Sequence, residues 1–170
     1  EDRESAVKEP DPGRMVLFLK KHSEHLSLLD RINPAKMTGR REGEGLKEFY
    51  NYCDFRNRGL ATAVPVAGGV QRSSSAVRSF LLTMDFSPLS ALEDILLHKP
   101  GTLNSPDKAE QRRNVLAAVA DYARCMHKSG MNQRDFNATH ILIDDISIPA
   151  PLVALFDLQH VDRKTVSRFR

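Results

Sequence analysis

Two aspartates, Asp135 and Asp157, stand where their carboxylates could share one site. Asp135 precedes an apolar run at residues 140–143, and Asp157 follows a second run at residues 152–156. If the two runs pair as a β-hairpin, the loop that enters it and the segment that leaves it lie at the same end. One carboxylate could then accept a hydroxyl proton while the other binds Mg²⁺, a hard cation that prefers oxygen ligands. A single aspartate more often caps a turn or ends a strand, so the combined spacing carries this inference.

Hydrophobic patterning predicts the strands that would position this site. Two hairpins are expected ahead of it, with strands at residues 5–8, 15–20, 62–66 and 79–84. The first hairpin turns at residues 9–13, which are dense in turn formers, and its second strand ends at Lys20. The second hairpin turns within residues 67–75, which contain Gly68 and Gly69. The four strands would form one small antiparallel sheet.

One helix is expected between the two hairpins. Residues 33–45 combine Pro, Gly and charged side chains, which indicates a mobile connector ahead of this helix. Spacing of i, i+3, i+4 and i+7 predicts an apolar helix face formed by Leu46, Phe49, Tyr50 and Cys53. Gly59 stands where a left-handed residue would end the helix.

Two further helices are expected after the second hairpin. Ser90 and Glu93 form a capping box, which predicts a short helix ending near Leu97. Pro106 at a first helical position begins a long helix over residues 106–128. Its predicted apolar stripe consists of Val115, Leu116, Val119, Tyr122, Ala123 and Met126. Strands followed mainly by helices indicate an α+β chain with two lobes and a cleft between them.

Composition limits the function classes. The chain has 170 residues, 41% hydrophobic and 28% charged, which fits neither a disordered chain nor a membrane protein. A net charge of +3 without an aromatic-rich basic stripe argues against nucleic-acid binding. Cys53 and Cys125 lack CxxC spacing, so we expect free, buried thiols in a reducing compartment. The chain begins at Glu1 without a signal-peptide pattern, which suggests a fragment.

The segment around Asp135 resembles the catalytic loop of protein kinases. In that loop an Asp is followed five positions later by a metal-binding Asn, and then by a strand leading to the Mg²⁺-binding Asp. The segment resembles more specifically the loop of the bacterial lipopolysaccharide kinase family, the heptose and Kdo kinases of the inner core. The matching residues are Met126-His127-Lys-Ser-Gly130-Met-Asn132-Gln-Arg134-Asp135 and His140-Ile-Leu142-Ile. His140 replaces the kinase Asn, as in that family.

The resemblance extends over about residues 15–163, with further segments in the family's order. These segments are Leu17-Phe-Leu-Lys20, Lys47-Glu48-Phe49 ahead of Arg58-Gly59-Leu-Ala-Thr62, Ser79-Phe-Leu-Leu-Thr83-Met-Asp85-Phe86, and Ser90-Ala-Leu-Glu93-Asp94. Several segments in the right order are more specific than any one motif.

The resemblance assigns the nucleotide-binding residues. Lys20 would contact the α and β phosphates of ATP, and Glu48 would hold its ammonium group through an ion pair. The backbone of Met84, Asp85 and Phe86 would hydrogen-bond adenine. Lys21 or Glu44 could replace these partners if the register were shifted by one step. Strand alternation favours Lys20, because it shares a face with Phe18.

The resemblance also gives roles to the two aspartates. Asp135 would be the catalytic base, and Asp157 would bind Mg²⁺. His140 would be a second metal ligand or would orient Asp135. Because imidazole suits Mn²⁺ or Zn²⁺ better than Mg²⁺, Mn²⁺ is an alternative metal. A separate zinc site is not expected, because His22 and His25 have no evident third ligand.

The sequence departs from the protein-kinase pattern at three places. Gln133 replaces the His of the His-Arg-Asp triplet, although its amide could still brace the backbone beside Asp157. The segment Asp157-Leu-Gln159 lacks the DFG glycine, so a constitutive site is expected rather than a mobile flip. Phosphate-binding glycines are absent ahead of Lys20, and Gly68 and Gly69 come too late, in the predicted turn.

The resemblance implies a protein-kinase-like fold with an N-lobe over residues 1–86 and a C-lobe over residues 87–170, apparently truncated. The implied function is ATP-dependent phosphorylation of heptose or Kdo in the lipopolysaccharide core. A protein or other small-molecule kinase, or a catalytically impaired kinase-like binding domain, are the alternatives. The implied location is the cytoplasm. A lipid-linked acceptor would suit peripheral, salt-sensitive contact with the inner membrane through Arg163, Lys164, Arg168 and Arg170.

Overall fold

The computed structural model describes residues 15–26, 43–73, 75–98 and 103–163. These residues form three small antiparallel sheets and two α-helices, together with short π-helical and 3₁₀ turns. The mixed α+β class predicted from the sequence is confirmed. The predicted strand at residues 5–8 and most of the predicted connector lie outside the described residues.

The first sheet holds three long strands, β1 (Leu17–His25), β2 (Pro65–Arg72) and β3 (Ala76–Met84), in the order β1-β3-β2. The predicted β2–β3 hairpin is present. However, β1 continues five residues beyond Lys20, and β2 extends to Arg72, well into the predicted turn. Gly68 and Gly69 therefore lie within β2. A Cβ atom at these glycines would lie 2.6 Å from Phe49 and 2.4 Å from Phe80, respectively, so the glycines admit aromatic rings rather than a turn.

Helix α1 (Glu44–Asn57) packs directly on this sheet. Gly45, in its first turn, allows the close approach, since a Cβ there would lie 2.8 Å from the backbone of Phe80. The last two residues of the predicted connector, Glu44 and Gly45, therefore belong to a helix that packs on the sheet. The predicted helix face is only partly right, because Phe49 packs against the core but Tyr50 is exposed. The buried face consists of Gly45, Glu48, Asn51, Tyr52 and Phe55.

The second sheet contains β4 (Ser90–Ala91), β6 (Ile141–Ile143) and β7 (Val153–Leu155), in the order β4-β6-β7. The predicted hairpin after Asp135 is confirmed by the antiparallel pairing of β6 with β7. The predicted capping-box helix is wrong at its start, because Ser90 pairs with Ile143 in the sheet. Helical structure follows, including the π-helical turn Asp94–His98.

The long helix α2 (Ala109–Lys128) follows the 3₁₀ turn Pro106–Lys108, close to the predicted bounds. Val115 and Met126 are buried, but Leu116 is 60% exposed and does not belong to the stripe. The third sheet pairs β5 (Met131–Gln133) with β8 (Val161–Arg163).

The two cysteines are free, as expected, but they are not buried. Cys53 is half-buried on α1, and Cys125 is exposed on α2. Their helices present other residues to the core.

One hydrophobic core joins α1, α2 and the second sheet. Its fully buried side chains include Phe55, Met126, Ile143, Leu155 and Leu158. Within the described part of the chain, no helix has the length and apolarity needed to cross a membrane.

We predict that Leu155→Ala lowers the free energy of unfolding by about 2 to 5 kcal/mol, because it leaves a cavity in this core. Leu155 is 0% exposed. The matched control is Leu116→Ala on the exposed face of α2, which should change stability by less than about 0.5 kcal/mol. Urea denaturation of both variants measures the difference, and equal losses would contradict the assigned core.

Candidate active site

One ammonium group joins two carboxylates from distant parts of the chain. Lys20 Nζ on β1 lies 3.1 Å from Glu48 Oε2 on α1 and 2.8 Å from Asp157 Oδ1, just after β7. Lys21 points to the opposite face of the sheet, and Glu44 pairs with Lys47 instead. The structure therefore brings together three residues that the sequence assigned to one site.

Glu48 is the buried member of this cluster, with only 1% of its side chain exposed. Burial raises the pKa of Glu48 above its usual value, and the Lys20 ammonium partly opposes that shift. His22, two residues along the same face of β1, approaches Glu48 Oε2 to 3.9 Å. Burial lowers the pKa of His22, and the positive charge of Lys20 lowers it further. His22 is therefore neutral at pH 7, and Lys20 is the cation that balances Glu48.

Asp157 has an unusual backbone conformation that neighbouring side chains hold in place. Its φ is +56°, in the left-handed region that residues other than glycine seldom adopt. Its amide donates to the Tyr52 hydroxyl at 2.8 Å. Its carbonyl accepts from Gln133 Nε2 at 2.6 Å. Gln133 thus supplies the backbone brace anticipated for it, and both backbone polar groups of Asp157 are held by side chains.

The chain after Asp157 is bound to the same helix. Asn51 Nδ2 on α1 donates to the Leu158 carbonyl at 2.7 Å, and this bond is buried. Arg163 on β8 donates to Asn51 Oδ1 at 2.7 Å and to Asp54 Oδ2 at 2.6 and 2.9 Å. Arg163 is therefore occupied in joining β8 to α1, which is not the free membrane contact expected for it.

His140 lies between the two aspartates. Its Nδ1 is 2.9 Å from the Asp135 carbonyl, and its Nε2 is 3.9 Å from Asp157 Oδ2. The Asp135 carboxylate is half exposed, and its Oδ2 lies 3.8 Å from His160 Nε2. Asp135 and Asp157 therefore lie on either side of the His140 imidazole. The β6–β7 hairpin between them brings the two aspartates to the same end.

The Asp157 carboxylate and the His140 imidazole could hold a divalent cation that is also bound by phosphate oxygens. In neutral His140 the proton must be on Nδ1 to donate to a carbonyl, which leaves the Nε2 lone pair directed at Asp157. Mg²⁺ is usually held by one or two carboxylates together with phosphate oxygens and water. The part of the chain that the structure describes has no cluster of three or more His, Cys, Asp or Glu able to hold a metal.

A cavity of about 350 Å³ opens beside Lys20. Lys20, Glu48 and Asp157 lie at its polar side, and aromatic rings form another wall. Phe86 stacks on both Phe18 and Phe156, with ring centroids 5.4 Å apart in each pair. A larger cavity of about 690 Å³ lies beside Lys21 on the other side of the sheet, away from the carboxylates. The smaller cavity is therefore the candidate site.

Two backbone donors of the segment expected to bind adenine already have partners. The amides of Met84 and Asp85 donate to the carbonyls of Val64 and Val16, both at 2.9 Å. These two donors are thus engaged within the protein. Phe86 lines the cavity together with Phe18 and Phe156. A flat base could therefore pack against the aromatic wall that Phe86 forms with Phe18 and Phe156.

Sequence reasoning missed the polar residues that support the site. Tyr52 and Asn51 lie on α1 close to Glu48, and Gln159 follows Asp157 by two residues. Gln159 Nε2 lies 3.4 Å from His22 Nε2, the imidazole next to Glu48. A signal was available, because Tyr52 is four residues after Glu48 and must share its helix face.

The chain is similar to known proteins in sequence and in fold. The profile of the lipopolysaccharide kinase (Kdo/WaaP) family matches residues 17–170. No curated protein sequence matches the chain.

Among solved structures, WaaP in complex with acyl carrier protein is similar, with a TM-score of 0.57 and 21% sequence identity. The match covers 87% of this chain and 54% of that chain, so this chain spans about half the length of that relative. The likeness confirms the kinase-like fold class. The chain belongs to the lipopolysaccharide kinase (Kdo/WaaP) family.

Proposed function

We propose that this chain carries the nucleotide site and catalytic base of a kinase that transfers the γ-phosphoryl group of ATP to a sugar hydroxyl. The acceptor is heptose or Kdo of the lipopolysaccharide inner core, which family membership supports. The observation that carries the proposal is the position of Lys20 between Glu48 and Asp157, beside a cavity with an aromatic wall.

The nucleotide enters with its base against Phe86 and its phosphates toward Lys20. The ammonium group then balances phosphate charge, while Glu48 keeps its direction fixed. Lys20 contacts Asp157 at 2.8 Å without nucleotide, so phosphate binding replaces that contact. Asp157 is thereby released for another cation.

Asp157 and His140 would hold Mg²⁺ or Mn²⁺ together with phosphate oxygens. When bound there, the cation would neutralise negative charge on the transferred phosphoryl group. Asp135 accepts the proton of the acceptor hydroxyl as its oxygen bonds to the γ-phosphorus and the bond to the ADP oxygen breaks. The exposure of the Asp135 carboxylate leaves room for a sugar beside it.

The proposed division into an N-lobe of residues 1–86 and a C-lobe of residues 87–170 places the cavity between lobes. Phe18 and Lys20 would line it from one side, and Phe156 and Asp157 from the other. Use of ATP assigns the reaction to the cytoplasm, and a lipid-linked acceptor assigns it to the inner-membrane surface. The basic residues proposed to contact that surface beyond Arg163 lie outside the described residues.

Acceptor profiling tests the proposed substrate class. The full chain should transfer ³²P from ATP to purified inner-core oligosaccharide, and not to choline, an aminoglycoside or a generic protein substrate. Transfer to one of the latter acceptors alone would replace the sugar-kinase assignment. The impaired-domain alternative would require no transfer and no Mg-ATP binding, although the Gln133 brace removes one reason for it.

We predict that Asp135→Asn lowers kcat by about 100-fold or more, because an amide cannot accept the hydroxyl proton. The KM for ATP should change little, since Asp135 lies outside the residues that line the nucleotide cavity. Asp121→Asn on the exposed surface of α2 is the matched control and should transfer phosphate normally. Normal transfer by Asp135→Asn would exclude this mechanism.

We predict that Glu48→Gln lowers kcat/KM for ATP by about 100-fold, because Lys20 loses its fixed direction. The fold should survive, since Lys20 keeps Asp157 as a partner and a costly buried charge is removed. Glu44→Gln, one turn earlier on α1, is the matched control and should leave kcat/KM unchanged. Steady-state kinetics distinguish the two, and equal kinetics would contradict the role of Glu48.

The difference in stability between wild type and Glu48→Gln should change with pH in one direction. Because the pKa of Glu48 is raised above 4.5 on folding, the native state binds its proton more tightly than the unfolded state. Wild type therefore loses stability relative to Glu48→Gln as the pH rises from 4.5 to the pKa of Glu48 in the folded protein. Above that pKa the difference stays constant. Urea denaturation between about pH 5 and 8 measures it, and an opposite slope would show that Glu48 is stabilised as an anion.

A further inference from the structure

We propose that Tyr52 is a positioning residue whose hydroxyl holds the Asp157 amide and so joins the Glu48 helix to the metal-binding carboxylate. The inference rests on the proposed function for the role of Asp157. The contact itself rests on geometry, because Asp157 N lies 2.8 Å from the Tyr52 hydroxyl oxygen. None of the matching sequence segments gives Tyr52 a role.

Tyr52 and Glu48 share one face of helix α1. Tyr52 follows Glu48 by four residues on α1, and both side chains are almost completely buried. Residues at this spacing lie one above the other on a helix. A displacement of α1 would therefore move the carboxylate that holds Lys20 and the hydroxyl that holds Asp157 together.

Asp157 adopts a backbone conformation that is uncommon for residues other than glycine. Such a conformation persists only when its surroundings determine it. Here φ is +56°, and the backbone amide and carbonyl are held from two sides by Tyr52 and Gln133. Removing either bond would weaken one of the two restraints on this conformation.

The Tyr52 hydroxyl lies inside the protein, where it needs a hydrogen-bond partner. Burying a hydroxyl among apolar side chains is unfavourable unless it is hydrogen-bonded. Phenylalanine would fill the same space without this cost, so the hydroxyl at position 52 has a function in directing the Asp157 amide. Burial also raises the pKa of Tyr52, and the negative charge of Glu48 adds to the effect, so the hydroxyl keeps its proton.

The same helix holds the next part of the chain. Asn51 binds the Leu158 carbonyl, and Arg163 binds both Asn51 and Asp54. Residues after Asp157 are therefore tied to α1 at successive positions, with Tyr52 at the point nearest the carboxylate. Such a connection favours one fixed arrangement of Glu48, Lys20 and Asp157 over a mobile segment.

Tyr52→Phe and Tyr122→Phe form a matched pair that tests the proposal. Tyr122 is also largely buried, and its hydroxyl donates to the Ala61 carbonyl at 2.7 Å, outside the site. Each variant removes one oxygen and one backbone hydrogen bond. A general loss of packing should therefore affect both variants alike, whereas a positioning effect should appear only in Tyr52→Phe.

The primary readout is amide hydrogen exchange at Asp157, measured by NMR on the full chain. Tyr52→Phe should exchange about tenfold faster at this amide than wild type, since a net hydrogen bond of about 1.4 kcal/mol corresponds to a factor of ten. Tyr122→Phe should leave the Asp157 amide unchanged. Equal protection of Asp157 in both variants would overturn the proposal.

The second readout is the Mg²⁺ dependence of phosphoryl transfer. Losing a residue that orients a metal ligand typically costs about 10- to 100-fold in metal affinity or activity. The Mg²⁺ concentration for half-maximal rate should rise by that factor in Tyr52→Phe and remain at the wild-type value in Tyr122→Phe. An unchanged Mg²⁺ dependence in Tyr52→Phe would overturn the positioning role.

These readouts separate the proposal from the proposed function. If wild type transfers no phosphate, the proposed function fails, and the exchange rates at Asp157 still decide whether Tyr52 holds that amide. If Tyr52→Phe does not fold, a fluorinated tyrosine at position 52 keeps the shape but weakens the oxygen as an acceptor. Faster exchange at Asp157 would then support the proposal, and unchanged exchange would overturn it.

Discussion

The pairing of Lys20 with two carboxylates is the interaction on which the rest of the site depends. Glu48 is buried, so its charge is tolerable only beside a cation, and Lys20 provides that cation. Asp157 adds a second negative charge at 2.8 Å, while His22 stays neutral because its pKa is lowered. When both carboxylates are ionised, the cluster carries one negative charge in excess, which favours the arrival of a further cation with an anionic ligand.

Each element near the cluster has a definite part in holding it. Strand β1 brings Lys20 and His22 to one face, helix α1 supplies Glu48 and Tyr52 from one turn, and strand β7 ends beside Asp157. These restraints come from hydrogen bonds to backbone as well as from packing. The site is therefore built by the fold in a single arrangement, which agrees with the absence of a DFG glycine after Asp157.

The sequence was informative where local rules decide the structure. Alternation along β1 selected Lys20, and the spacing of the β6–β7 hairpin joined Asp135 to Asp157. It misled where tertiary contacts decide. Hydrophobicity chose Tyr50 for the buried face of α1, whereas that face includes the polar residues Glu48 and Asn51. Gly68 suggested a turn, but it makes room for an aromatic ring on a strand.

A crystal structure of the full chain with Mg²⁺ and a non-hydrolysable ATP analogue would test the central claim most directly. We predict that Lys20 keeps Glu48 and exchanges its Asp157 contact for a phosphate oxygen, with the Asp157 carboxylate turned to the metal. The base should lie against Phe86 in the cavity beside β1. A nucleotide bound elsewhere, with Lys20 still held between both carboxylates, would contradict the account.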